Sequence, residues 1–142
     1  SYALRYNLLF THAQACNGIT LGTTNRDEFA FSGWFGKNSD MMVDVQPIID
    51  MHKFEVNGLA SLLGVPNSIV SRVPTGDLID GTSDEDNFGC SYDDLSVYTL
   101  IKTQNVGVVM TPFLENKFAK LEQLHKKNYH KYLGQGYNPV FL

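Results

Sequence analysis

Seven of the fifteen carboxylates in this 142-residue chain fall between Asp77 and Asp94. They lie in the stretch RVPTGDLIDGTSDEDNFGCSYDDL at positions 72–95. A calcium loop is one reading, because Asp80, Thr82, Asp84 and Asp86 alternate like the opening of an EF-hand. It fails, since Glu85 stands where the sharp turn needs glycine and Ser91 where the bidentate Glu belongs. Neither a helical nor a strand period survives here, and Gly76, Gly81 and Gly89 punctuate the stretch. A loop this long in a compact domain is either disordered or a functional lid. The lid reading expects a mobile acidic loop over about 73–90, and a merely solvated acidic loop is the alternative. Lys53 sits near the start of a predicted helix, where the macrodipole disfavours a cation; that misfit suits a side chain aimed at phosphate. Thr23 and Glu28 flank a strand-to-helix turn, the edge at which open α/β sheets bind ligands. On spacing alone they read more simply as a helix start whose acids complement the dipole.

The elements that must position these residues read as α/β. Leu4, Leu8 and Leu9 share a face with Tyr2, Ala13 and Cys16, which predicts a helix over 2–16 stopped by Asn17-Gly18. The run ITLGTT at 19–24 predicts a short buried strand, and Asn25-Arg26-Asp27-Glu28 starts the next helix. A second strand is expected within 42–48. Asp50 is the expected N-cap of a helix whose apolar face is Val56, Leu59, Ala60, Leu62 and Leu63, ended by Gly64-Val65-Pro66. His52 reads as a surface or packing histidine, having no second ligand at helical spacing. Helices follow over 91–132: one over 92–103, then one opened by Pro112 with Leu114, Phe118, Leu121 and Leu124 on one face. That last helix carries Lys117, Lys120, Lys126, Lys127 and Lys131, five of the eleven basic residues, an ordinary cationic face by itself. Residues 104–110 read as either loop or short helix.

The succession helix–strand–helix implies a parallel sheet, yet no strand precedes the first helix. The fold is entered halfway, and two strands cannot bury the faces of so many helices. An exposed sheet edge must be covered by another chain. At 43% hydrophobic and 18% charged the chain reads as one globular domain over 1–142. Its net charge of −4 gives no reason to expect nucleic acid. There is no apolar run long enough for a membrane and no secretory leader. Cys16 and Cys90 form neither a metal knuckle nor a disulfide framework, so a cytoplasmic protein with reduced thiols is expected.

Five stretches of the chain, the C-terminal one most weakly, resemble motifs of the NAD synthetase family. The acidic stretch is similar to the family's P-[ST]-A-D-L … D-E … L-G-x-[ST]-Y-D-x-[LI]-D: Thr75, Asp77, Leu78, Asp84, Glu85, Gly89, Ser91, Tyr92, Asp93 and Leu95 fit, while Gly76 and Ser96 do not. Gly22-Thr23-Thr24-Asn25-Arg26-Asp27-Glu28 resembles G-T-x-N-x-x-E. The segment from Phe35 and Lys37 through Asp40, Asp44 and Pro47 resembles [FY]-x-K-x-G-D-x-x-x-D-[ILV]-x-P-[IL], with Ser39 for a glycine and one extra residue between Glu28 and Lys37. Asp50-Met51-His52-Lys53-Phe54-Glu55-Val56 resembles D-L-x-K-x-[EQ]-[VG], and Asn128-Tyr129-His130-Lys131-Tyr132 resembles the C-terminal T-E-H-K-R. His125-Lys126 is the fallback for that His-Lys pair.

The resemblance implies a Rossmann-like, adenine nucleotide alpha-hydrolase-like fold, of which this chain is the C-terminal half: a parallel sheet with flanking helices. It implies ATP and Mg2+ as cofactors, with ATP contacted by Thr23, Lys53 and Thr75 and the metal held by Glu28. Lys53 and Thr75 are the expected catalytic residues. Deamido-NAD is the expected substrate, met by Lys37, Asp44, His130 and Lys131, with ammonia as the second substrate; Asp40 is expected to fix its loop. A homodimer is expected. The family's pyrophosphate loop, S-G-G-x-D-S, is nowhere in the chain, and Ala3 stands where a substrate-binding Arg is expected, only Arg5 remaining of that motif. A complementary N-terminal half-chain is therefore expected as partner. The competing reading is a non-catalytic module for nucleotide binding or dimerisation, derived from such an enzyme. It is favoured by those two absences and opposed by Glu28, Lys53 and Thr75.

Overall fold

The structure is a computed structural model and describes residues 2–75, 81–104 and 106–133. Asp77 and Asp80 of the acidic stretch, and the tail from Gly134, lie outside the described residues. Helix α1 (Tyr2–Ala15) ends as its sequence dictates: Asn17 takes a left-handed φ of 53° and the Gly18 N–H closes back on the Ala13 carbonyl at 2.7 Å. Its Leu4 and Leu8 remain exposed.

The expected strand over 19–24 is reduced to a single parallel bridge, Leu21 to Val45. Gly22 N–H donates to the Val45 carbonyl at 2.8 Å and Asp44 N–H to the Thr20 carbonyl at 3.1 Å. The two predicted strand segments thus pair in the parallel sense, but no longer ladder forms among the described residues. Nor is the segment buried as expected. Thr20, Gly22 and Thr24 face inward, whereas Ile19 and Leu21 stand outward and exposed. The alternation is that of a strand with one face covered; nothing in the described chain covers the other.

Residues 28–32 wind as a π-helical turn (Glu28–Ser32), which closes when Gly33, left-handed at φ 61°, donates back to the Glu28 carbonyl. The Ser32 hydroxyl lies 2.9 Å from both the Asp27 and Glu28 carbonyl oxygens, filling the widened turn. A π turn is how a helix takes up one extra residue. One extra residue is what the motif spacing required between Glu28 and Lys37.

Helix α2 (Lys53–Leu62) begins later than expected: His52, not Asp50, is its N-cap, and the Glu55 carboxylate accepts from the His52 N–H at 2.7 Å. Its apolar face is not buried; Leu62 and Leu63 are 87% and 74% exposed. The short α3 (Asn67–Val70) follows.

The acidic stretch contains a helix, α4 (Asp84–Phe88), where an irregular loop was expected. Ser83 caps it: its Oγ accepts from the Asp86 N–H at 3.1 Å, and the Asp86 carboxylate accepts from the Ser83 N–H at 3.0 Å. With three acids in the first turn and left-handed Gly89 at the end, the run is a well-formed helix start rather than a solvated loop. Phe88, at 0% exposure, nails it to the core.

Helices α5 (Tyr92–Thr103) and α6 (Pro112–Asn128) are those read from the sequence, capped by Ser91 and Thr111; residues 106–110 are irregular. Phe31, Phe88, Tyr92, Leu95, Tyr98, Phe118 and Leu121 form the core, with Leu114 and Leu124 packed against it. Rings carry much of it: Phe31 meets Tyr98 edge-on at 5.3 Å and Tyr98 stacks on Phe118 at 4.1 Å. A 3-10 turn (Tyr129–Lys131) leads to Tyr132, buried, whose hydroxyl donates to the Phe29 carbonyl at 2.6 Å. No helix among the described residues is long and apolar enough to cross a membrane.

Candidate functional site

Two cavities are reached from Tyr92, the first residue of α5, one through Glu28 and Asp84 at its hydroxyl and the other through Lys53 over its ring. The first, about 370 Å³, is lined by Thr23, Thr24, Glu28, Trp34, Phe35, Gly36, Ser39, Asp40, Asp84 and Lys131. The second, of equal volume, is lined by Lys53, Asn57, Ile69, Val70, Arg72, Val73, Pro74 and Thr75. A third hollow, about 310 Å³, continues from Lys53 to Glu85, Tyr92 and Asp93.

Glu28 is aimed into the first cavity by its own turn. Its N–H donates to the Asn25 side-chain oxygen at 3.1 Å, and its carboxylate accepts from the Asn25 N–H at 3.2 Å. The Tyr92 hydroxyl lies 3.0 Å from Glu28 Oε1 and 3.2 Å from Asp84 Oδ2. Burial raises the Glu28 carboxyl above the usual carboxylate range; the Asn25 N–H and the Lys53 charge hold that rise down. Burial and the two carboxylates push the Tyr92 phenol far up, so it is a hydroxyl at every working pH. Across the same ring, Lys53 Nζ sits 5.2 Å from the centroid.

A magnesium ion fits this donor set in kind. Glu28, Asp84, Thr23 and Thr24 offer hard oxygens around one cavity, and Asp84 Oδ1 is a buried acceptor with no hydrogen-bond partner. Among the described residues no group of three or more His, Cys, Asp or Glu could hold a metal unaided.

The loop opposite Glu28 is held by Asp40, as its sequence suggested: Oδ2 accepts from the Gly36 N–H at 2.8 Å and lies 3.3 Å from the Ser39 hydroxyl, while Oδ1 accepts from the Tyr6 hydroxyl at 3.1 Å. A Cβ at Gly36 would sit 2.1 Å from Ser39 Oγ, so any larger residue there would displace that hydroxyl. Lys131 reaches the cavity over the Phe35 ring and donates to the Gly33 carbonyl at 2.9 Å; burial lowers its pKa.

The expected site residues therefore divide. Thr23, Glu28 and Lys131 share the first cavity, and Lys53 and Thr75 share the second. Lys37 lies on the outside, donating to the Leu133 carbonyl at 3.0 Å. Asp44 is spent on the Thr20 N–H and hydroxyl, each at 2.7 Å, which lower its pKa, the N–H first. His130 is exposed, its Nδ1 3.0 Å from the Lys127 carbonyl oxygen, and lines none of these cavities. His125 is buried against Phe31, ring on ring at 4.4 Å, which removes the fallback pair from the site.

Sequence reasoning missed the aromatic wall of Trp34 and Phe35, and it gave Asp27 and Tyr92 no role. Asp27 is fully buried, its carboxylate accepting from the Lys53 N–H and the Ser96 hydroxyl, each at 2.8 Å, and lying 2.6 Å from His52 Nδ1. His52 is thus the packing histidine expected. The only sequence signal for Asp27 was its position beside Glu28.

Comparison with known proteins places this geometry. The family model described as NAD synthase matches residues 2–133. The NH(3)-dependent NAD(+) synthetase of Thermococcus sibiricus is 38% identical over 133 residues, covering 89% of this chain and 52% of that protein. The corresponding protein of Thermococcus kodakarensis is 46% identical over 88 residues, 62% of this chain and 34% of that one. Among solved structures, an NMN synthetase from Francisella tularensis superposes with a TM-score of 0.76 at 28% identity, over 92% of this chain and 50% of its own. The chain spans about half the length of the first of these relatives. With the matched family covering all but the ends, and Glu28 and Lys53 brought to one tyrosine, the chain belongs to the NAD synthase family.

Proposed function

We propose that this chain is the C-terminal half of an ammonia-dependent NAD+ synthetase, which amidates deamido-NAD at the expense of ATP. In that reaction a nicotinate carboxylate oxygen attacks the α-phosphorus of ATP and pyrophosphate leaves. Ammonia then attacks the acyl carbon and AMP leaves, giving the amide. The observation that carries the reading is the Glu28–Tyr92–Lys53 arrangement: an acid suited to a cation at the hydroxyl of one buried tyrosine and a lysine suited to phosphate over its ring.

Attack of a carboxylate on ATP brings anions together, so positive charge must be fixed nearby. Lys53 supplies it from the second cavity, where Thr75 offers a hydroxyl. Magnesium, held through Glu28 with Asp84 beside it, would neutralise phosphate charge. On the other side Lys131 and the Trp34–Phe35 wall bind the substrate, with Thr23 beside Glu28 for ATP, and the aromatic lining suits a nicotinate or adenine plane. Water must be kept from the adenylate, a role we assign to the part of the acidic segment ahead of the anchored α4. Lys37, Asp44 and His130 serve the substrate only if the partner half or the ligand draws them in.

The likeness to the Francisella protein favours a second acceptor for the same chemistry, a mononucleotide yielding NMN. The test mixes the purified chain with ATP, magnesium, ammonia and either acceptor, with and without a recombinant N-terminal half. Amide formed only with both halves present is the expected result, and the better acceptor names the enzyme. Amide from this chain alone would mean that the missing pyrophosphate cradle was misjudged. No amide with a folded, associated partner half would favour the non-catalytic module.

A further inference from the structure

Asp27 and Glu28 are adjacent in the chain, and their carboxylates go to different places: Glu28 to the cavity wall, Asp27 to the interior at 0% exposure. Each meets the same helix. Tyr92 and Ser96 stand one turn apart on α5, a spacing that puts both on one face. The Tyr92 hydroxyl lies on Glu28 Oε1 at 3.0 Å and the Ser96 hydroxyl donates to Asp27 Oδ2 at 2.8 Å, so the pair forms two rungs between α5 and the Glu28 turn. The same Asp27 Oδ2 accepts the Lys53 N–H at 2.8 Å, and Oδ1 lies 2.6 Å from His52 Nδ1. Beside them, the Arg26 N–H donates to the Met51 carbonyl at 2.8 Å.

We propose that Asp27 is a positioning residue for the reaction: one buried carboxylate ties the start of α2, the Glu28 turn and α5 together, and so fixes Lys53 against Tyr92 and Glu28. The inference rests on the function proposed above for its catalytic consequence, but its geometric content does not. No other described contact of the α2 N-terminus reaches α5 through a buried polar group. Asp27 Oδ2 takes two donors, the Lys53 N–H and the Ser96 hydroxyl, and Oδ1 lies against His52 Nδ1, which makes the junction rigid as well as specific. A lysine side chain has four rotatable bonds, and its charge is useful only if its helix is held in register. The helix buries no residue of its own, so little apolar packing holds that register.

Two measurements decide it. The first needs no turnover. In the reductively 13C-methylated chain, the Lys53 resonance, assigned by its loss in Lys53→Arg, should stand away from solvated lysines because of the Tyr92 ring current. Asp27→Ala should return it most of the way to the solvated position, and Asp27→Asn, which keeps one oxygen for the Lys53 N–H, should return it less. A Lys53 resonance unmoved by Asp27→Ala overturns the proposal. If Asp27→Ala fails to fold by circular dichroism, Ser96→Ala takes its place, with a shift in the same sense expected and none overturning it.

The second measurement uses the enzyme reconstituted with an N-terminal half. Asp27→Ala should lower kcat by about tenfold with KM for the nucleotide substrate within about twofold, and Asp27→Asn should recover most of the loss. In a Lys53→Ala background the same change should cost no more than about twofold, because the residue it positions is gone. A full tenfold loss there overturns the proposal. A wild-type assembly that makes no amide, with a Lys53 resonance that responds as stated, would refute the proposed function and leave the positioning role standing.

Discussion

Lys53 and Glu28 carry the sharpest expectations at the scale of single residues. If Lys53 offsets phosphate charge in the transition state, Lys53→Ala should slow pyrophosphate exchange more than tenfold in the reconstituted enzyme, a loss of about 1.4 kcal/mol or more. An unchanged rate would return it to the solvated surface. The Lys117–Asp94 pair, 2.6 Å apart, gives a pH-dependent counterpart outside the site. Chiefly through its hydrogen bond to Lys117, the Asp94 carboxyl is held below its usual range. A depressed carboxylate stabilises the fold above its unfolded pKa and ceases to as pH falls through the folded one. Asp94→Asn should therefore lower stability near neutral pH, by no more than about 1 kcal/mol for so exposed a pair, and the difference should vanish in strong acid. Chemical denaturation at both pH values would test the sign. What the sequence disclosed at this scale was identity by motif: Thr23, Glu28, Lys53, Thr75 and Lys131 do line cavities. Asp27 and Tyr92 were illegible because their roles come from burial and from partners 25 to 69 positions away, which no local spacing encodes.

Between the residues and the whole stand α4 and the turn before it. The sequence legibly gave α1, α5 and α6, whose apolar periods are long, and misread α4, which has none. An acidic run without periodicity looks like a loop, yet Ser83 supplies a cap and Phe88 a single anchor in the core. One anchor suffices for five residues. Phe88→Ala should cost about 3–5 kcal/mol in urea unfolding, and native-state hydrogen exchange should show α4 opening with it. A loss below 1 kcal/mol would mean that α4 is not held by this ring. In the wild type, saturating nucleotide should slow exchange between Thr75 and Ser83 more than at Gly89, whose N–H is already closed on the Glu85 carbonyl at 2.7 Å. The π turn lies in the interval where the motif comparison called for one extra residue, between Glu28 and Lys37; the turn itself was not legible, because winding depends on which carbonyls Ser32 and Gly33 can satisfy.

The whole molecule is a core of α5, α6, α4 and the Glu28 turn, flanked by elements whose apolar sides are open. Leu4, Leu8, Ile19, Leu21, Leu62, Leu63 and Ile69 are all exposed. A monomer rarely leaves so many large apolar side chains uncovered in adjoining elements. The covering surface we propose is the N-terminal half, with homodimerisation taking part of the remainder. Leu62→Lys together with Leu63→Lys should raise the solubility of the isolated chain; if α2 lies at the junction of the halves, it should also weaken their association, readable by sedimentation of the mixture. The expectation of an α/β fold stands in coarse form, since the chain matches the NAD synthase family and superposes on an NMN synthetase over 92% of its length, while one parallel bridge is all the sheet pairing among the described residues. The sheet itself could not be read from two segments, because a parallel strand is stabilised by neighbours it does not contain. The Leu21–Val45 bridge also bears on timing. It closes a long excursion of chain for very few backbone hydrogen bonds, so its formation is slow to be repaid and it should arise late, after the helical core. What forms last opens first. The Gly22 N–H should then be among the faster-exchanging bonded amides of the chain, and a strand laid beside this pair would act as a clasp, slowing that one amide long before it alters the melting of the core.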